Sequence, residues 1–258
     1  MADSLKLKIL GCDGGEMAGY ATPSILLDES ILLDAGSFGG VLDFDQQLAI
    51  DHVVLSHAHL DHSKDLAFFS DLIIGHRAKP VKIHASVDTL KILRRHFFNN
   101  QLWPDFFVLP NPEAPVLREA PILPGKSFTL GSIVFRAFEV NHPVPTLGFI
   151  VRSPTGTFIY SGDTGPTDEI WCAAKRLRNL KLVMMECKFP SEMQLVADAA
   201  GHLTPQTLAK ELQKLGDVQV PVYVYHIKPE RHLKVVSELK AMGDERLKIL
   251  KVGDEFLV

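Results

Sequence analysis

Short apolar runs recur along the chain, and their lengths of about four to eight residues predict strands. They lie at residues 5–10, 24–27, 31–33, 52–55, 81–84, 133–140, 147–151, 157–160, 182–185 and 220–225. Asp28-Glu29 falls between the second and third runs as a hairpin signal. Part of the sheet structure is therefore expected to be antiparallel.

Helix signals separate several of these runs. Thr204-Pro205 combines an N-cap with proline at the first helical position, and Gly216 marks the end of that helix. Thr167-Asp168-Glu169 begins a second helix. Apolar residues three and four apart predict two more, at about 86–97 and 230–242. The alternation indicates one α/β domain over residues 1–258, with an irregular insertion rich in proline and aromatic residues at about 97–125.

Composition narrows the class of protein. Of 258 residues, 46% are hydrophobic and 22% are charged, which excludes intrinsic disorder and fibrous repeats. No apolar run approaches the roughly 20 residues that cross a bilayer, and the first residues lack an apolar signal segment. We therefore expect a cytoplasmic protein without a membrane partner.

Charge and cysteine content favour a small-molecule substrate. The net charge of −4 gives no general attraction to nucleic acid, so no nucleic-acid partner is expected. Three cysteines lie far apart and outside any C-x-x-C spacing. This pattern indicates reduced thiols rather than a disulfide framework or a thiolate zinc site.

The sharpest chemical signal follows the apolar run at 52–55, where three histidines and an aspartate fall within six residues. Residues two apart in an extended segment point the same way, so His57 and His59 could bind one metal ion. Asp61 and His62, just beyond, could reach a second ion.

Further candidate ligands follow later strand-like runs. With these, the ligands of one ion would be His57, His59 and His142, those of the other Asp61, His62 and His226, and Asp163 would bridge both. Asp34, in the segment ILLDAG, is expected to orient the ligand loop, or else to be a structural turn acid. Histidine and aspartate ligands favour zinc, although iron or manganese accept similar sets.

This pattern resembles the metallo-β-lactamase superfamily, whose αββα sandwich of two mixed sheets flanked by helices carries a dinuclear site at one edge. Within it, the sequence resembles the class II cyclic-nucleotide phosphodiesterases, which have leucine at the position of Leu60. Further similar motifs are HFFNNQLWPDF at 96–106, SGDTGPTDEIW at 161–171, ECKFP at 186–190, GHLTP at 201–205 and HIKP at 226–229. Aspartate rather than cysteine at position 163 argues against a β-lactam hydrolase.

The resemblance implies an activity and a set of roles. It implies hydrolysis of a small phosphodiester, a 3′,5′-cyclic nucleotide such as cyclic AMP or cyclic GMP, to the 5′-nucleotide. Asp61 and Asp163 would belong to the catalytic centre with two divalent ions, and the chain would form a homodimer. His202 resembles the histidine that touches the scissile phosphate and would protonate the 3′ oxygen, with Glu186 raising its basicity. The alternative for His202 is packing at a helix start.

Two further sets of residues could contact substrate. Lys228 could neutralise phosphate charge, or could be an ordinary solvated lysine. The segment at 97–107 is unusually aromatic, and its Trp103 and Phe106 could stack on a nucleobase. The same aromatic residues could instead form a hydrophobic cover or a dimer contact. The remaining histidines show no partner pattern and are assigned structural roles: His52, His76, His84, His96 and His232.

Two rival functions remain open. One is an RNA-processing phosphodiesterase of the tRNA 3′-end type. Residues 97–126 mix Arg118 and Lys126 with three acidic residues, so the insertion is not a basic arm. The other is a non-catalytic nucleotide-binding protein with the same fold. The full ligand set argues against it, and a metal assay would decide.

Overall fold

The computed structural model describes residues 4–216 and 218–258. The strands, in chain order, are β1 Lys6–Gly11, β2 Ser24–Leu27, β3 Ile31–Leu33, β4 His52–Val54, β5 Val81–Ser86, β6 Leu117–Ile122, β7 Ser127–Leu130, β8 Ile133–Glu139, β9 Leu147–Arg152, β10 Thr157–Tyr160, β11 Leu180–Glu186, β12 Val222–Tyr225, β13 Leu247–Ile249 and β14 Glu255–Leu257. The α-helices are α1 Phe44–Leu48, α2 Leu60–Ser63, α3 Leu66–Ile73, α4 Val87–Ile92, α5 Glu169–Ala174, α6 Gln194–Ala200, α7 Pro205–Lys214 and α8 His232–Ala241.

The strands form two mixed sheets of seven strands each. One has the order β14-β1-β2-β3-β4-β5-β6 and the other the order β13-β12-β11-β10-β9-β8-β7. Pairing is antiparallel from β14 to β3 and parallel from β3 to β6. In the second sheet it is antiparallel from β7 to β10 and parallel from β10 to β13.

Three apolar clusters stack these layers into the expected αββα sandwich. The cluster between the sheets contains the fully buried rings of Phe135 and Phe149. The outer face of the first sheet packs against α3 through Phe69. The outer face of the second packs against α5 and α7 through Trp171 and Leu208. Each sheet is therefore buried on both faces, which explains why its strands read as continuous apolar runs.

The predicted hairpin is confirmed, because β2 and β3 pair antiparallel. Asp28 and Glu29 have φ of 41° and 61°, and the Ser30 N–H donates to the Leu27 carbonyl at 3.3 Å. Two consecutive residues with positive φ make the turn type whose twist matches that of the flanking strands.

The prediction that residues 97–125 are irregular is wrong in part, because β6 lies within them. Arg118, Glu119 and Pro121 hide its apolar pattern. The strand is at the edge of its sheet and pairs with β5 on one side, so a proline without an N–H is tolerated there. The helix predicted at 86–97 is divided into α4 and a π-helical turn at Leu93–Phe97.

The described residues contain no disulfide bond. Cys12, Cys172 and Cys187 are all free thiols, as their spacing predicted. Within residues 4–216 and 218–258, no helix combines the length and the apolar character that a membrane span requires.

His52 and His84 face each other on the neighbouring strands β4 and β5. Nδ1 of His52 lies 3.0 Å from Nε2 of His84. The His84 ring also stacks on Phe128 of the other sheet, with ring centroids 5.4 Å apart. Burial lowers the pKa of both imidazoles, and that of His84 falls from 6.5 to about 4.

We expect His84→Gln to weaken the acid sensitivity of the fold. The unfolded chain protonates His84 at higher pH than the folded chain does, so folding loses free energy as the pH falls from 6.5 towards about 4. Above pH 6.5 both states are neutral and the group contributes nothing to pH dependence. Urea unfolding gives the free energy of unfolding at about pH 7 and about pH 4.5. The decrease between the two pH values should be smaller in the variant than in the parent by on the order of 1–3 kcal/mol. His76→Gln, at an exposed position, is the matched control. Equal decreases in the free energy of unfolding in the parent and both variants would show that His84 does not cause the acid sensitivity.

Candidate metal centre

The predicted ligands meet at one edge of the two sheets. His57 follows the carboxyl end of β4, and His142, Asp163 and His226 follow those of β8, β10 and β12. Those last three strands run in one direction, because β8 and β10 are both antiparallel to β9 and β10 to β12 are parallel. Strand direction therefore gathers side chains that are far apart in sequence.

Close backbone packing holds the turn that carries Asp61 and His62. Ser63 Oγ donates to the His59 carbonyl at 2.9 Å, and the Ala35 N–H donates to the His62 carbonyl at 2.8 Å. A Cβ on Gly36 would lie 2.0 Å from the Asp61 carbonyl oxygen. The ILLDAG loop needs glycine at this position to approach the ligand turn so closely.

The first donor group consists of His57, His59 and His142. Nε2 of His57 lies 3.0 Å from Nδ1 of His59, which lies 3.3 Å from Nε2 of His142. Burial lowers the pKa of all three imidazoles. The rings are therefore held neutral, the form in which histidine binds metal.

The second donor group consists of Asp61, His62 and His226, together with Asp163. Nε2 of His226 lies 3.3 Å from Oδ2 of Asp61 and 3.4 Å from Nε2 of His62. Burial lowers the pKa of His226 to about 4.

Asp163 faces both groups with different oxygens. Its Oδ1 lies 3.3 Å from Nε2 of His62, and its Oδ2 lies 3.8 Å from Nε2 of His57. The side chain is fully buried, and within the described residues neither oxygen, nor Nδ1 of His226, makes a hydrogen bond. A buried carboxylate without a donor is costly unless a cation compensates its charge. The donors therefore fit divalent metal ions.

Hydrogen bonds at the outer ring nitrogens orient three of the imidazoles. Nδ1 of His62 lies 2.8 Å from Oδ2 of Asp34, and Nδ1 of His57 lies 3.0 Å from Oγ of Ser56. Nδ1 of His142 lies 2.9 Å from the Gly201 carbonyl oxygen. Each contact directs the opposite nitrogen towards the donor groups, as is usual for metal-binding histidines.

Asp34 links the two sheets beneath the centre. Its carboxylate accepts from the Ser56 N–H at 2.7 Å, from Ser56 Oγ at 2.9 Å and from the Tyr160 hydroxyl at 2.7 Å. Asp34 and His226 both have φ in the left-handed region, 58° and 64°. Such a conformation costs a residue other than glycine about 1–3 kcal/mol and is typical of functional sites.

His202 and Glu186 form a buried pair beside the donor groups. Nδ1 of His202 lies 2.7 Å from Oε1 of Glu186, and the ring centroids of His202 and His142 are 5.0 Å apart. Glu186 also accepts from the Thr164 N–H at 2.8 Å, which ties the Asp163 loop to this pair. Burial lowers the pKa of His202 to about 4 and raises that of Glu186 to about 8. The expectation that Glu186 raises the basicity of His202 is therefore wrong, because the buried ring is held neutral.

The lysine nearest the donor groups is not the predicted one. Lys228 is 36% exposed at its side chain and pairs with Glu230 at 3.5 Å. Lys188 is 12% exposed, and its Nζ lies 3.8 Å from Oδ2 of Asp61. The motif ECKFP held a signal for it, because Lys188 lies two residues after Glu186 at the end of β11.

The aromatic residues expected to stack on a base pack in or against the core outside the first sheet. Phe106 is 2% exposed within the core outside the first sheet. Trp103 packs against the same core, donates its indole N–H to the Ala67 carbonyl at 3.0 Å and meets the Phe68 ring edge-on. The stacking role is therefore wrong for Phe106, whose ring is inaccessible, and Trp103 fits the alternative of a hydrophobic cover.

Comparison with known proteins identifies the family of the chain. The family described as "Beta-lactamase superfamily domain" matches residues 31–227. A protein of Yersinia pestis named "Probable 3′,5′-cyclic-nucleotide phosphodiesterase" is 31% identical, over 96% of this chain and 85% of that protein.

Two solved structures match the fold over nearly the whole chain. Unliganded yeast PDE1 has a TM-score of 0.85 at 20% identity, covering 99% of this chain and 100% of that chain. The metallo-beta-lactamase fold protein YhfI from Bacillus subtilis has a TM-score of 0.78 at 19% identity, with the same coverage. They confirm the predicted fold.

We expect Asp163→Asn to weaken metal binding more than Asp61→Asn. The first change removes charge between both donor groups, whereas the second removes a ligand from one. Metal content after dialysis against a weak chelator, measured by plasma mass spectrometry, should therefore fall furthest in Asp163→Asn. Asp71→Asn, on the exposed face of α3, is the control for handling losses. Equal metal content in Asp163→Asn and the parent would contradict the bridging position.

Proposed function

The chain belongs to the beta-lactamase superfamily, and from this membership we propose that it is a metal-dependent phosphodiesterase that hydrolyses a 3′,5′-cyclic nucleotide to the 5′-nucleotide. The observation that carries the proposal is the buried Asp163 carboxylate, which faces one donor group with each oxygen and lacks a hydrogen-bond partner among the described residues. The substrate class is supported by the name of the Yersinia pestis relative.

Two divalent ions would occupy the centre, one at each donor group. His57, His59 and His142 would hold one, Asp61, His62 and His226 the other, and Asp163 would serve both. Zinc suits these ligands best. When bound, such ions lower the pKa of a water molecule and compensate charge on the phosphoryl group.

Proton supply to the leaving oxygen falls to His202. In the reaction, a water oxygen bonds to phosphorus, the bond from phosphorus to the 3′ oxygen breaks, and that oxygen takes up a proton. Nδ1 of His202 is engaged by Glu186, so Nε2 is the nitrogen available to donate. The ring is neutral, and because the pKa of Glu186 is raised to about 8, its carboxylic acid can pass a proton to Nδ1 as Nε2 gives its own to the leaving oxygen. Glu186 fixes the ring through this contact and holds the Asp163 loop through the Thr164 N–H.

The function is tested by assaying metal-loaded protein side by side against cyclic AMP, cyclic GMP, a dinucleotide and a nitrophenyl phosphodiester. We expect close to two ions per chain and release of 5′-nucleotides from a cyclic nucleotide. Preferential cleavage of the dinucleotide would favour the RNA-processing alternative. Nucleotide binding at full metal content without hydrolysis would favour the non-catalytic one.

We expect His202→Ala to cut kcat on cyclic AMP by about 10²–10⁴, the usual contribution of a positioned general acid. The ribose 3′ oxygen leaves as a strongly basic alkoxide and needs a proton, whereas nitrophenolate leaves readily without one. The loss on a nitrophenyl phosphodiester should therefore be far smaller. Both rates must be compared at matched metal occupancy, because His202 also lies within reach of His142 and Asp163. Equal losses on both substrates would indicate that His202 positions the phosphate instead.

Lys188→Met should lower kcat/KM for a cyclic nucleotide by about 10–100-fold, because a buried charge-assisted contact to phosphate is worth about 1.5–3 kcal/mol. The side chain is mostly buried beside Asp61, and methionine keeps its length. Lys228→Met removes an exposed surface pair and should change little. Steady-state kinetics at equal metal content compare the two, and a larger effect at Lys228 would restore the expectation from the motif HIKP.

A further inference from the structure

A cavity of about 540 Å³ opens beside the first donor group. His142 lines it, and Nε2 of that histidine lies 3.3 Å from Nδ1 of His59. The other walls come from the start of α4, the loop between β6 and β7 and the loop between β8 and β9. Its volume is in the range of small-molecule sites.

Apolar side chains line this cavity although they face solvent. Val87 exposes 42% of its surface and Leu123 exposes 59%. The loop after β8 adds Pro143, Val144 and Pro145. Two prolines stiffen that loop, so its wall needs little ordering when a ligand binds. Large exposed apolar side chains gathered beside a polar centre are typical of a ligand site.

The charges in the cavity exclude phosphate. The lining contains the carboxylates Asp88 and Glu139, and none of its described residues is a lysine or an arginine. Asp88 is paired with Lys91 at 3.1 Å, and Glu139 has no ion pair with a residue that the structure describes. A phosphate group would be repelled there, whereas Lys188 lies at Asp61 in the other donor group. An uncharged, largely apolar part of the substrate suits the cavity.

We propose that this cavity binds the nucleobase of the substrate. The inference rests on the proposed function, since it assigns the base of the same nucleotide whose phosphate lies at the donor groups. The base packs against Val87 and Leu123 and is held on the His142 side of the centre. This cavity takes the place of Trp103 and Phe106, which were first expected to contact the base.

The test compares the affinity of 5′-AMP with that of ribose 5-phosphate, which lacks the base. Calorimetric titration of the metal-loaded protein should give a dissociation constant about tenfold lower for 5′-AMP, because base burial adds apolar contact. With Val87→Ser and Leu123→Ser combined, the ratio should fall towards one, while ribose 5-phosphate binds as before. Leu233→Ser, at a position 86% exposed on α8 and outside the cavity, is the matched control.

Three results would count against the base assignment, and a separate result would count against the proposed function. A ratio near one in the parent, a parental ratio in the double variant, or an equal loss for both ligands would overturn the base assignment. Circular dichroism and the Leu123→Ser single variant separate these results from misfolding. Hydrolysis of the nitrophenyl phosphodiester by the same preparation reports on the proposed function alone. No hydrolysis of any diester, with the affinity ratio intact, would refute the phosphodiesterase and leave the base cavity standing.

Discussion

The charge of one buried carboxylate sets the chemistry of this molecule. Asp163 is fully buried and faces the two donor groups with its two oxygens, and neither oxygen has a hydrogen-bond partner among the described residues. Desolvating such a charge costs several kcal/mol unless cations return that energy. Burial also keeps most of the surrounding imidazoles neutral. These neutral imidazoles and the carboxylate without a hydrogen-bond partner together suit the site to divalent metal ions.

The polar contacts beneath the centre explain how that arrangement is kept. Asp34 follows β3 of one sheet and accepts a hydrogen bond from Tyr160 of the other. The same carboxylate fixes the His62 ring and the Ser56 backbone. One group thus joins the relative position of the sheets to the orientation of a ligand. The left-handed backbone at Asp34 persists because these contacts outweigh its strain.

Different parts of the substrate meet different surroundings at the centre. Lys188 lies beside Asp61, His202 lies beside His142 with Glu186 behind it, and the apolar cavity begins at His142. In the proposed reaction these surroundings suit the phosphate charge, the departing 3′ oxygen and the base respectively. In that reaction, the separation of charged, proton-donating and apolar surfaces helps to align the nucleotide.

The sequence by itself determined the strand runs, an α/β class with some antiparallel pairing and the candidate ligands, whereas the αββα arrangement was implied by the family resemblance. Spacing of two residues and position at strand ends depend on local backbone geometry. His57, His59, Asp61 and His62 can therefore be predicted as candidate metal ligands without a structure. Only the tertiary structure decided that Trp103 packs on the core and that Lys188 lies at the centre. It also decided that β13 and β14 are strands, because each pairs with a neighbour distant in sequence. These outcomes depend on which surfaces meet, and a local pattern can point to a candidate such as Lys188 but cannot show what its side chain contacts.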